Sequence, residues 1–329
     1  MSWKVLMTAM PMGVVGRTAV EQLRHAGCEV VDGAGAGPVP EAKLMPMLEG
    51  VDAVIAGMEP YNAKVLAAPQ SARLKIISRW GVGFDAIDLS AATKHGVVVA
   101  NTPGLLNEAV ADYTFALLLA LARRVHEGHV IMRQGEWKAT WGSDVAGKTL
   151  GILGCGRIGQ AVARRAAGFD LRLIGYDVAP NADAHKMGVE FVSLDELLAE
   201  SDFLCLHAAL TPENRGLIGE AQLRRMKRTA YLVNTARGAL VDENALVRAL
   251  TEGWIAGAAL DAFTVEPLAK EHPLRSAPNV LLTPHQASYG FDTGAMVSAA
   301  AAGAVLDLLA GKRPKSVLNG DVWERRKAK

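Results

Sequence analysis

Short runs of apolar residues alternate with helical patterns along nearly the whole chain, and this alternation restricts the possible folds more than any other feature. It predicts βαβ units, in which helices join parallel strands and cover the sheet. In the first third of the chain we predict strands at residues 4–10, 52–56, 75–78 and 97–100. In the remainder we predict strands at residues 149–153, 172–176, 203–207, 230–234, 255–260 and 280–283. The expected fold class is α/β, with doubly wound parallel sheets.

Capping residues mark several predicted helix ends. Ser193-Leu194-Asp195-Glu196 has the sequence of a capping box, in which the Ser and Glu side chains satisfy exposed backbone amides. Asp242 is placed to cap a following helix, and Gly253 stands where a left-handed residue commonly ends one. A long apolar helix is expected from about residue 107 to 126, and an Ala-rich helix from about 288 to 310.

Length and charge narrow the class of protein. A chain of 329 residues is long enough for about two domains of ordinary size. Its 35 Lys and Arg residues nearly balance 34 Asp and Glu residues, whereas nucleic-acid binders usually have a strongly basic surface. We therefore expect no nucleic-acid partner, and we interpret the basic run Arg325-Arg326-Lys327 as a solvated tail.

The cysteines and the longest apolar segments indicate a protein of the reducing cytoplasm. Cys28, Cys155 and Cys205 are far apart and odd in number, so they form no disulfide framework. The apolar run at 115–122 is much shorter than the roughly 20 residues that span a bilayer. We expect no membrane insertion and a cytoplasmic location.

The strongest local motif is Gly154-Cys155-Gly156-Arg157-Ile158-Gly159, which follows a predicted strand and opens a predicted helix. In such a motif Gly154 allows a tight turn, Gly156 lets a pyrophosphate approach the backbone, and Gly159 lets the helix pack on the strand. The N-terminus of the helix then offers its positive end to the phosphates. The motif predicts a dinucleotide site.

Asp177 strengthens this prediction. It follows the next predicted strand, 18 positions after Gly159. A carboxylate there accepts hydrogen bonds from the adenosine ribose hydroxyls and repels a 2′-phosphate. We therefore expect NAD rather than NADP as the cofactor; the alternative is an ordinary loop aspartate.

Three polar residues follow later strands of the same half: Arg237, Glu266 and His285. In a doubly wound sheet, residues just beyond the carboxyl ends of strands surround the ligand crevice. Hydride transfer to a 2-oxo acid needs an acid for the carbonyl oxygen and a cation for the carboxylate, which a His–Glu pair and an arginine supply. Each residue could equally have an ordinary structural role, so position alone leaves the function open.

The motifs together resemble those of the D-isomer-specific 2-hydroxyacid dehydrogenases. The resemblance is carried by Asn234-Thr235-Ala236-Arg237-Gly238, Val265-Glu266-Pro267-Leu268, Thr283-Pro284-His285 and the glycine motif, with Arg79-Trp80-Gly81-Val82-Gly83-Phe84-Asp85 in the first third. It covers nearly the whole chain. The phosphoglycerate dehydrogenase branch looks closest, in a short form without the regulatory domain that some of those enzymes have.

The resemblance implies a Rossmann NAD-binding domain at residues 101–286, inserted in a flavodoxin-like substrate domain at 1–100 and 287–329. It also implies a homodimer joined through the NAD domain and the long helix after residue 107. The partner molecule would be a small 2-hydroxy or 2-oxo acid. No metal is expected, because a His–Glu pair and an arginine can perform the reaction without a Lewis acid.

The resemblance also assigns roles to single residues. His285 would be the general acid or base, with Glu266 orienting its imidazole, and Arg237 would bind the substrate carboxylate and carbonyl. The amides of Val82 and Gly83 would hold the other side of the carboxylate. Further cofactor contacts are implied for Asp261 at the nicotinamide carboxamide, for Thr235 and Ala236 at the nicotinamide ring, and for His207 and Thr211 near the adenine half, beside Arg157 and Ile158 of the glycine motif.

Two residues bear on the substrate. Arg79 is the candidate cation beside the carboxylate-binding turn, and it either meets an anionic substrate tail or is a surface charge at a strand end. Gln286 follows His285 where many members carry an aliphatic residue. It either contacts substrate or cofactor, or adjusts the hinge.

Three functions remain in competition. The first is an NAD-dependent dehydrogenase of a D-2-hydroxy acid, with 3-phosphoglycerate and phosphohydroxypyruvate as a candidate pair. The second is a hydroxypyruvate or glyoxylate reductase. The third, from another class, is an NAD-sensing interaction protein, since transcriptional corepressors that resemble this family keep the same catalytic residues.

Overall fold

The computed structural model describes residues 2–35 and 37–323, and the run Arg325-Arg326-Lys327 lies outside these residues. The chain divides into two compact units. The first contains the described residues up to Leu106 and those from Tyr289 onward, and the second is Asn107–Ser288. Each unit is a parallel sheet with helices packed on it, so the predicted α/β fold class is confirmed.

The first unit contains a sheet of five parallel strands: β1 (Lys4–Met7), β2 (Glu29–Asp32), β3 (Ala53–Ala56), β4 (Ile76–Arg79) and β5 (Val98–Ala100). Their order is β2-β1-β3-β4-β5, the order of flavodoxin-like folds. Alternate residues enter opposite cores, with Val5 and Ile76 on one face and Leu6 and Ile77 on the other. The helices up to Leu106 are α1 (Pro11–Val15), α2 (Arg17–His25), α3 (Glu41–Met47), α4 (Ala63–Ala67) and α5 (Leu89–Lys94).

The second unit contains a sheet of seven parallel strands: β6 (Thr149–Leu153), β7 (Arg172–Tyr176), β8 (Glu190–Phe191), β9 (Phe203–Leu206), β10 (Tyr231–Asn234), β11 (Gly257–Leu260) and β12 (Val280–Leu282). Their order is β12-β11-β10-β9-β6-β7-β8, which is the Rossmann order with one further strand. The order reverses between β6 and β9. Ligands of such sheets bind at the carboxyl ends of the strands at this switch point.

The helices of the second unit are α6 (Asn107–Ala122), α7 (Val125–Arg133), α8 (Arg157–Ala166), α9 (Ala182–Lys186), α10 (Leu194–Glu200), α11 (Glu220–Arg225) and α12 (Glu243–Glu252). Ser193 and Glu196 form the predicted capping box of α10. Asp242 caps α12 through the amides of Asn244 and Ala245, and Gly253 ends it with φ 68°. Short 3₁₀ turns lie at Pro69–Ser71, Ala167–Phe169, Gly238–Leu240 and Pro273–Ser276.

The last helix, α13 (Phe291–Leu309), returns to the core of the first unit. It is the one helix in the described part of the chain that is long and apolar enough to span a membrane by length and composition. Val297, Ala301 and Val305 are fully buried in that core, and Ser78 Oγ donates to the carbonyl of Ala301 over 2.8 Å. The apolar character of α13 is therefore explained by its packing within the first unit.

The structure corrects the predicted elements in three places. The long helix predicted to reach residue 126 ends at Ala122, because Arg124 adopts φ 52° and a separate helix starts at Val125. The first strand ends at Met7, since the amides of Thr8 and Ala9 both turn to the carbonyl of Ile55. Strands β2 and β8 were not predicted; they are the edge strand of the first sheet and a two-residue edge strand of the second.

Candidate active site

The glycine turn after β6 has the geometry that a bound pyrophosphate requires. Gly154 has φ 94°, and a Cβ there would lie 2.4 Å from the backbone nitrogen of Ala208. A Cβ at Gly159 would lie 2.3 Å from the carbonyl oxygen of Gly154, so only glycine allows α8 to start this close to the turn. At Gly156, by contrast, no heavy atom lies within 4 Å of an added Cβ. This open side is where a phosphate can approach the backbone.

Helix α8 begins directly after this turn and presents its amino end to the same space. Arg157 is its first residue and is exposed, and Ile158 beside it is partly buried. The first N–H groups of a helix have no partner within it and attract anions. The turn and the helix therefore fit the diphosphate of a dinucleotide.

Asp177 follows β7 beside this turn. Its Oδ2 accepts the Cys155 amide over 2.7 Å, and its Oδ1 accepts the Ala179 amide over 2.9 Å. The carboxylate is partly buried and keeps further lone pairs for ribose hydroxyls. Burial, and secondarily the charge of Asp177, raises the pKa of the Cys155 thiol to about 12, so this cysteine stays a neutral thiol.

His207 and Thr211 lie in the segment that follows β9, on the other side of the switch point. The Nε2 of His207 is enclosed and has no hydrogen-bond partner among the described residues. Burial lowers the pKa of His207 to about 4, so its ring is neutral near pH 7. Thr211 is exposed and donates its amide to Asn214 Oδ1 over 2.8 Å. An orphaned polar atom at this edge is consistent with a bound cofactor.

The loop after β10 carries Thr235, Ala236 and Arg237. Asn234, which is fully buried, accepts the Ala236 amide over 3.0 Å and donates its Nδ2 to the Arg237 carbonyl over 2.8 Å. Arg237 is partly buried and donates from Nη1 to the Ala236 carbonyl over 2.8 Å. Thr235 is buried, and its hydroxyl lies 3.0 Å from that of Thr114 on α6. The arginine therefore projects from a tightly held turn.

The structure brings Glu266 and His285 together. Both carboxylate oxygens of Glu266 lie within 2.9 Å of His285 Nδ1, and the Phe263 amide donates to Oε1 over 2.8 Å. The His285 backbone has φ 51°, in the left-handed region that non-glycine residues rarely adopt. The pairing fixes the ring through Nδ1, which makes Nε2 the nitrogen for proton exchange with a ligand.

Asp261, after β11, holds the loop that carries His285. The residue is 1% exposed. Its Oδ1 accepts the Thr283 hydroxyl over 2.6 Å and the Gln286 amide over 3.0 Å, and its Oδ2 accepts the Ala287 amide over 2.8 Å. These contacts give Asp261 a part in shaping the loop that the sequence did not reveal. Its contact with a nicotinamide carboxamide stays a prediction.

In the first unit, Arg79 is the last residue of β4, and Val82 and Gly83 lie in the turn that follows it. Arg79 is partly buried and donates from Nε to the Gly83 carbonyl over 2.9 Å. The Val82 carbonyl accepts from Asn101 Nδ2 over 2.9 Å. Both carbonyls are thus held, whereas in the described part of the chain neither the Val82 nor the Gly83 amide donates a hydrogen bond. Two adjacent amides of this kind suit a carboxylate.

Sequence reasoning missed the contribution of α6 to these loops. Thr114 is fully buried within the helix, and Tyr113 beside it accepts a hydrogen bond from Gln286 Nε2 over 2.7 Å. A hydroxyl at each of two consecutive positions, directly before the apolar run at 115–122, is the signal that could have drawn attention to them. Within residues 2–35 and 37–323, no group of three His, Cys, Asp or Glu side chains is arranged to hold a metal ion.

Comparison with known proteins agrees with this geometry. Residues 115–287 match the model of the D-isomer specific 2-hydroxyacid dehydrogenase NAD-binding domain. A glyoxylate reductase of Korarchaeum cryptofilum is 47% identical over 294 residues, which cover 87% of this chain and 88% of that protein. A glyoxylate reductase of Thermofilum pendens is 43% identical over 299 residues, which cover 88% of this chain and 87% of that protein.

Solved structures give the same result. A Thermus thermophilus protein matches with TM-score 0.87 and 42% identity, over 96% of this chain and 99% of that one. The crystal structure of a glyoxylate reductase from Paecilomyes thermophila matches with TM-score 0.83 and 32% identity, over 96% and 98% of the two chains. The glycine turn, the amino end of α8 and Asp177 therefore belong to an NAD-binding domain, and the chain is a member of the D-isomer specific 2-hydroxyacid dehydrogenase family.

Proposed function

We propose that this protein is a glyoxylate reductase, which reduces glyoxylate to glycolate with NADH and also accepts hydroxypyruvate. The observation that carries the proposal is the pairing of His285 Nδ1 with both oxygens of Glu266 at the carboxyl edge of the NAD-binding sheet. The names of the Korarchaeum and Thermofilum relatives support the choice of substrate. They favour the reductase over the phosphoglycerate dehydrogenase that the motifs first suggested.

Substrate binding would use a cation and backbone amides. Arg237 would pair with the carboxylate and the carbonyl oxygen of the 2-oxo acid, which orients the carbon for attack. In the first unit, the amides of Val82 and Gly83 would suit a carboxylate, since neither amide donates a hydrogen bond within the described residues. Arg79 would then stabilise this turn through the Gly83 carbonyl, whatever the length of the substrate tail.

His285 would supply the proton for the reduction. NADH, when bound by the glycine turn, α8 and Asp177, provides the hydride. The imidazolium of His285 would donate its Nε2 proton to the carbonyl oxygen, and the hydroxyl of the product forms as the ring becomes neutral. Glu266 holds the ring through Nδ1 and compensates its positive charge before the transfer. In the reverse reaction, neutral His285 would accept the hydroxyl proton.

A substrate panel tests this proposal. Loss of NADH absorbance would be followed with purified protein and glyoxylate, hydroxypyruvate, phosphohydroxypyruvate and bulkier 2-oxo acids. We expect kcat/KM for glyoxylate or hydroxypyruvate to exceed that for phosphohydroxypyruvate by at least about tenfold, or about 1.4 kcal/mol. A clear preference for the phosphorylated acid would instead support a phosphoglycerate dehydrogenase. Tight NADH binding without turnover of any 2-oxo acid would support the NAD-sensing interpretation.

We also propose that the protein is a homodimer. The side chains of α7 are all at least partly exposed. Val125 and Met132 on this helix are 60% and 54% exposed, and Trp137 and Trp141 after it are 92% and 93% exposed. An apolar surface of this kind usually belongs to an interface. Light scattering coupled to gel filtration tests it: Trp137→Ser with Trp141→Ser should yield monomers, and an unchanged mass would place the interface elsewhere.

A cytoplasmic location is proposed on the cysteine chemistry. Cys28, Cys155 and Cys205 are all buried free thiols, as expected for a protein kept in a reducing compartment. Fractionation of cells that produce the protein would test this, with recovery in the soluble cytoplasmic fraction as the expected result.

A further inference from the structure

The side chain of Gln286, the residue after His285, is hydrogen-bonded to helix α6. Its Nε2 donates to the hydroxyl oxygen of Tyr113 over 2.7 Å. Both side chains are partly buried. The side-chain amide of Gln286 therefore has a hydrogen-bond partner within the protein, at a position next to His285 where it could otherwise bind a ligand.

The backbone around His285 needs such support. Its φ of 51° is costly for a residue with a Cβ. Asp261 accepts hydrogen bonds from the backbone amides of Gln286 and Ala287, over 3.0 and 2.8 Å. It therefore holds the loop from the side of the sheet. Tyr113 holds the same loop from the side of α6. Gln286 is thus fixed through its backbone and its side chain.

The next residue of α6 supports the other catalytic loop. Thr114 Oγ1 lies 3.0 Å from Thr235 Oγ1, two residues before Arg237. Thr114 also donates to the Val110 carbonyl over 2.8 Å. A hydroxyl has one proton, so Thr235 is the donor to Thr114. Consecutive residues of one helix therefore hold the loop of Arg237 and the loop of His285.

We propose that Tyr113 and Gln286 are positioning residues, whose hydrogen bond sets the place of the His285 imidazole during proton transfer; this rests on the proposed reductase activity. Neither residue is assigned a contact with the reacting atoms. A displacement of about 1 Å in an active site can cost about 10²-fold in rate. Because one neutral hydrogen bond is lost and Asp261 remains, we expect a smaller loss, of about 5- to 20-fold in kcat.

A double-mutant cycle tests the coupling between the two residues. Tyr113→Phe removes only the hydroxyl, and Gln286→Met keeps the length of the side chain without its donor. Each should lower kcat for glyoxylate by about 5- to 20-fold, with KM and NADH affinity within about twofold, and the double variant should be no slower than either single variant. Tyr231→Phe, which removes a hydroxyl bonded to Ser143 Oγ at 3.1 Å, is the matched control and should keep its rate.

Amide hydrogen exchange gives a readout that does not depend on turnover. In the protein without ligands, a peptide over residues 283–288 should exchange about tenfold faster in Tyr113→Phe and Gln286→Met, because loosening the loop exposes the amides that Asp261 binds. Peptides from α8 should be unchanged. If wild-type protein reduces no 2-oxo acid, the proposed function fails, and this measurement still tests the support of the loop.

Three results would overturn the inference. One is a kcat within twofold of wild type in both single variants together with unchanged exchange at residues 283–288. Another is additive losses in the double variant, since independent effects exclude a shared bond. The third is a raised KM in Gln286→Met alone, which would mean that Gln286 contacts the substrate.

Discussion

Glu266 holds His285 by a single ring nitrogen, with both carboxylate oxygens within 2.9 Å of Nδ1. The carboxylate is itself fixed by the Phe263 amide and is 13% exposed, against 27% for the imidazole. The less exposed carboxylate therefore orients the more exposed ring. This leaves Nε2 as the nitrogen that can meet a substrate, which is the arrangement that a general acid requires.

Removing the charge of Glu266 should slow the reaction without affecting cofactor binding. In Glu266→Gln the side chain can still accept hydrogen bonds from His285 Nδ1 and from the Phe263 amide. It no longer compensates the charge of a protonated imidazole. We expect kcat for glyoxylate to fall on the order of 10²-fold, with NADH affinity within about twofold. Steady-state kinetics and NADH fluorescence titration measure both quantities. Full activity in this variant would show that the ring needs no anionic partner.

Two substitutions in the glycine turn should distinguish an effect on cofactor binding from an effect on folding. Gly156→Ala adds a Cβ into open space, so the variant should keep its Tm but bind NADH at least about tenfold more weakly, about 1.4 kcal/mol. Gly154→Ala forces a Cβ to 2.4 Å from the Ala208 nitrogen at φ 94°, and strain of this kind costs of order 1–3 kcal/mol. At about 2–4 °C per kcal/mol, its Tm should fall by about 2–12 °C. Thermal unfolding and NADH titration check the pair, and equal NADH affinity in Gly156→Ala and wild type would contradict the phosphate site.

Asp177 should select the cofactor. Asp177→Asn keeps one acceptor oxygen for the backbone of the turn but removes the charge that opposes a 2′-phosphate. The ratio of kcat/KM for NADH to that for NADPH should drop by about tenfold or more, since like-charge contacts cost several kcal/mol. Asp183→Asn, an exposed neighbour on α9 that pairs with Lys186, is the control. An unchanged ratio in Asp177→Asn would place cofactor selection elsewhere.

His207 should make the fold less stable in mild acid. Burial lowers its pKa from 6.5 to about 4, so the unfolded chain binds a proton between these values while the folded chain does not. Stability is full above pH 6.5 and is lost as the pH falls towards 4, by at most about 3 kcal/mol. His207→Gln cannot titrate and should lose less stability between pH 7 and pH 5 than wild type, as measured by urea unfolding. The same change at the exposed His95 should leave the wild-type slope; equal slopes in wild type and His207→Gln would count against a buried neutral ring.

Much of the fold was readable because buried parallel strands leave continuous apolar runs. Strands β6 and β7 were predicted with the bounds that they have in the structure. The edge strands gave a weaker signal: β2 has no fully buried residue, and β8 has only two residues. The break at Arg124 was also hidden, because no Gly or Pro marks it and arginine is a good helix former.

Residues of the candidate site could be predicted only where polar side chains lie just beyond the carboxyl ends of strands. Arg237, Glu266, His285 and Asp177 could be found this way, since residues beyond parallel strands share one edge. The contact of Tyr113 with Gln286 could not, because the two are 173 positions apart and nothing local pairs them. The preference for a phosphorylated acid was the part of the functional prediction that the relatives did not support, because one arginine beside a turn does not reveal what its guanidinium binds.

The most direct test of the central claim is the rate of NADH oxidation by glyoxylate in wild-type protein and in His285→Ala, measured side by side. If His285 is the proton donor of a glyoxylate reductase, wild type turns over glyoxylate and the variant loses on the order of 10²–10⁴-fold in kcat, with NADH affinity nearly unchanged. A variant that keeps the wild-type rate, or that loses NADH binding instead, would contradict this account.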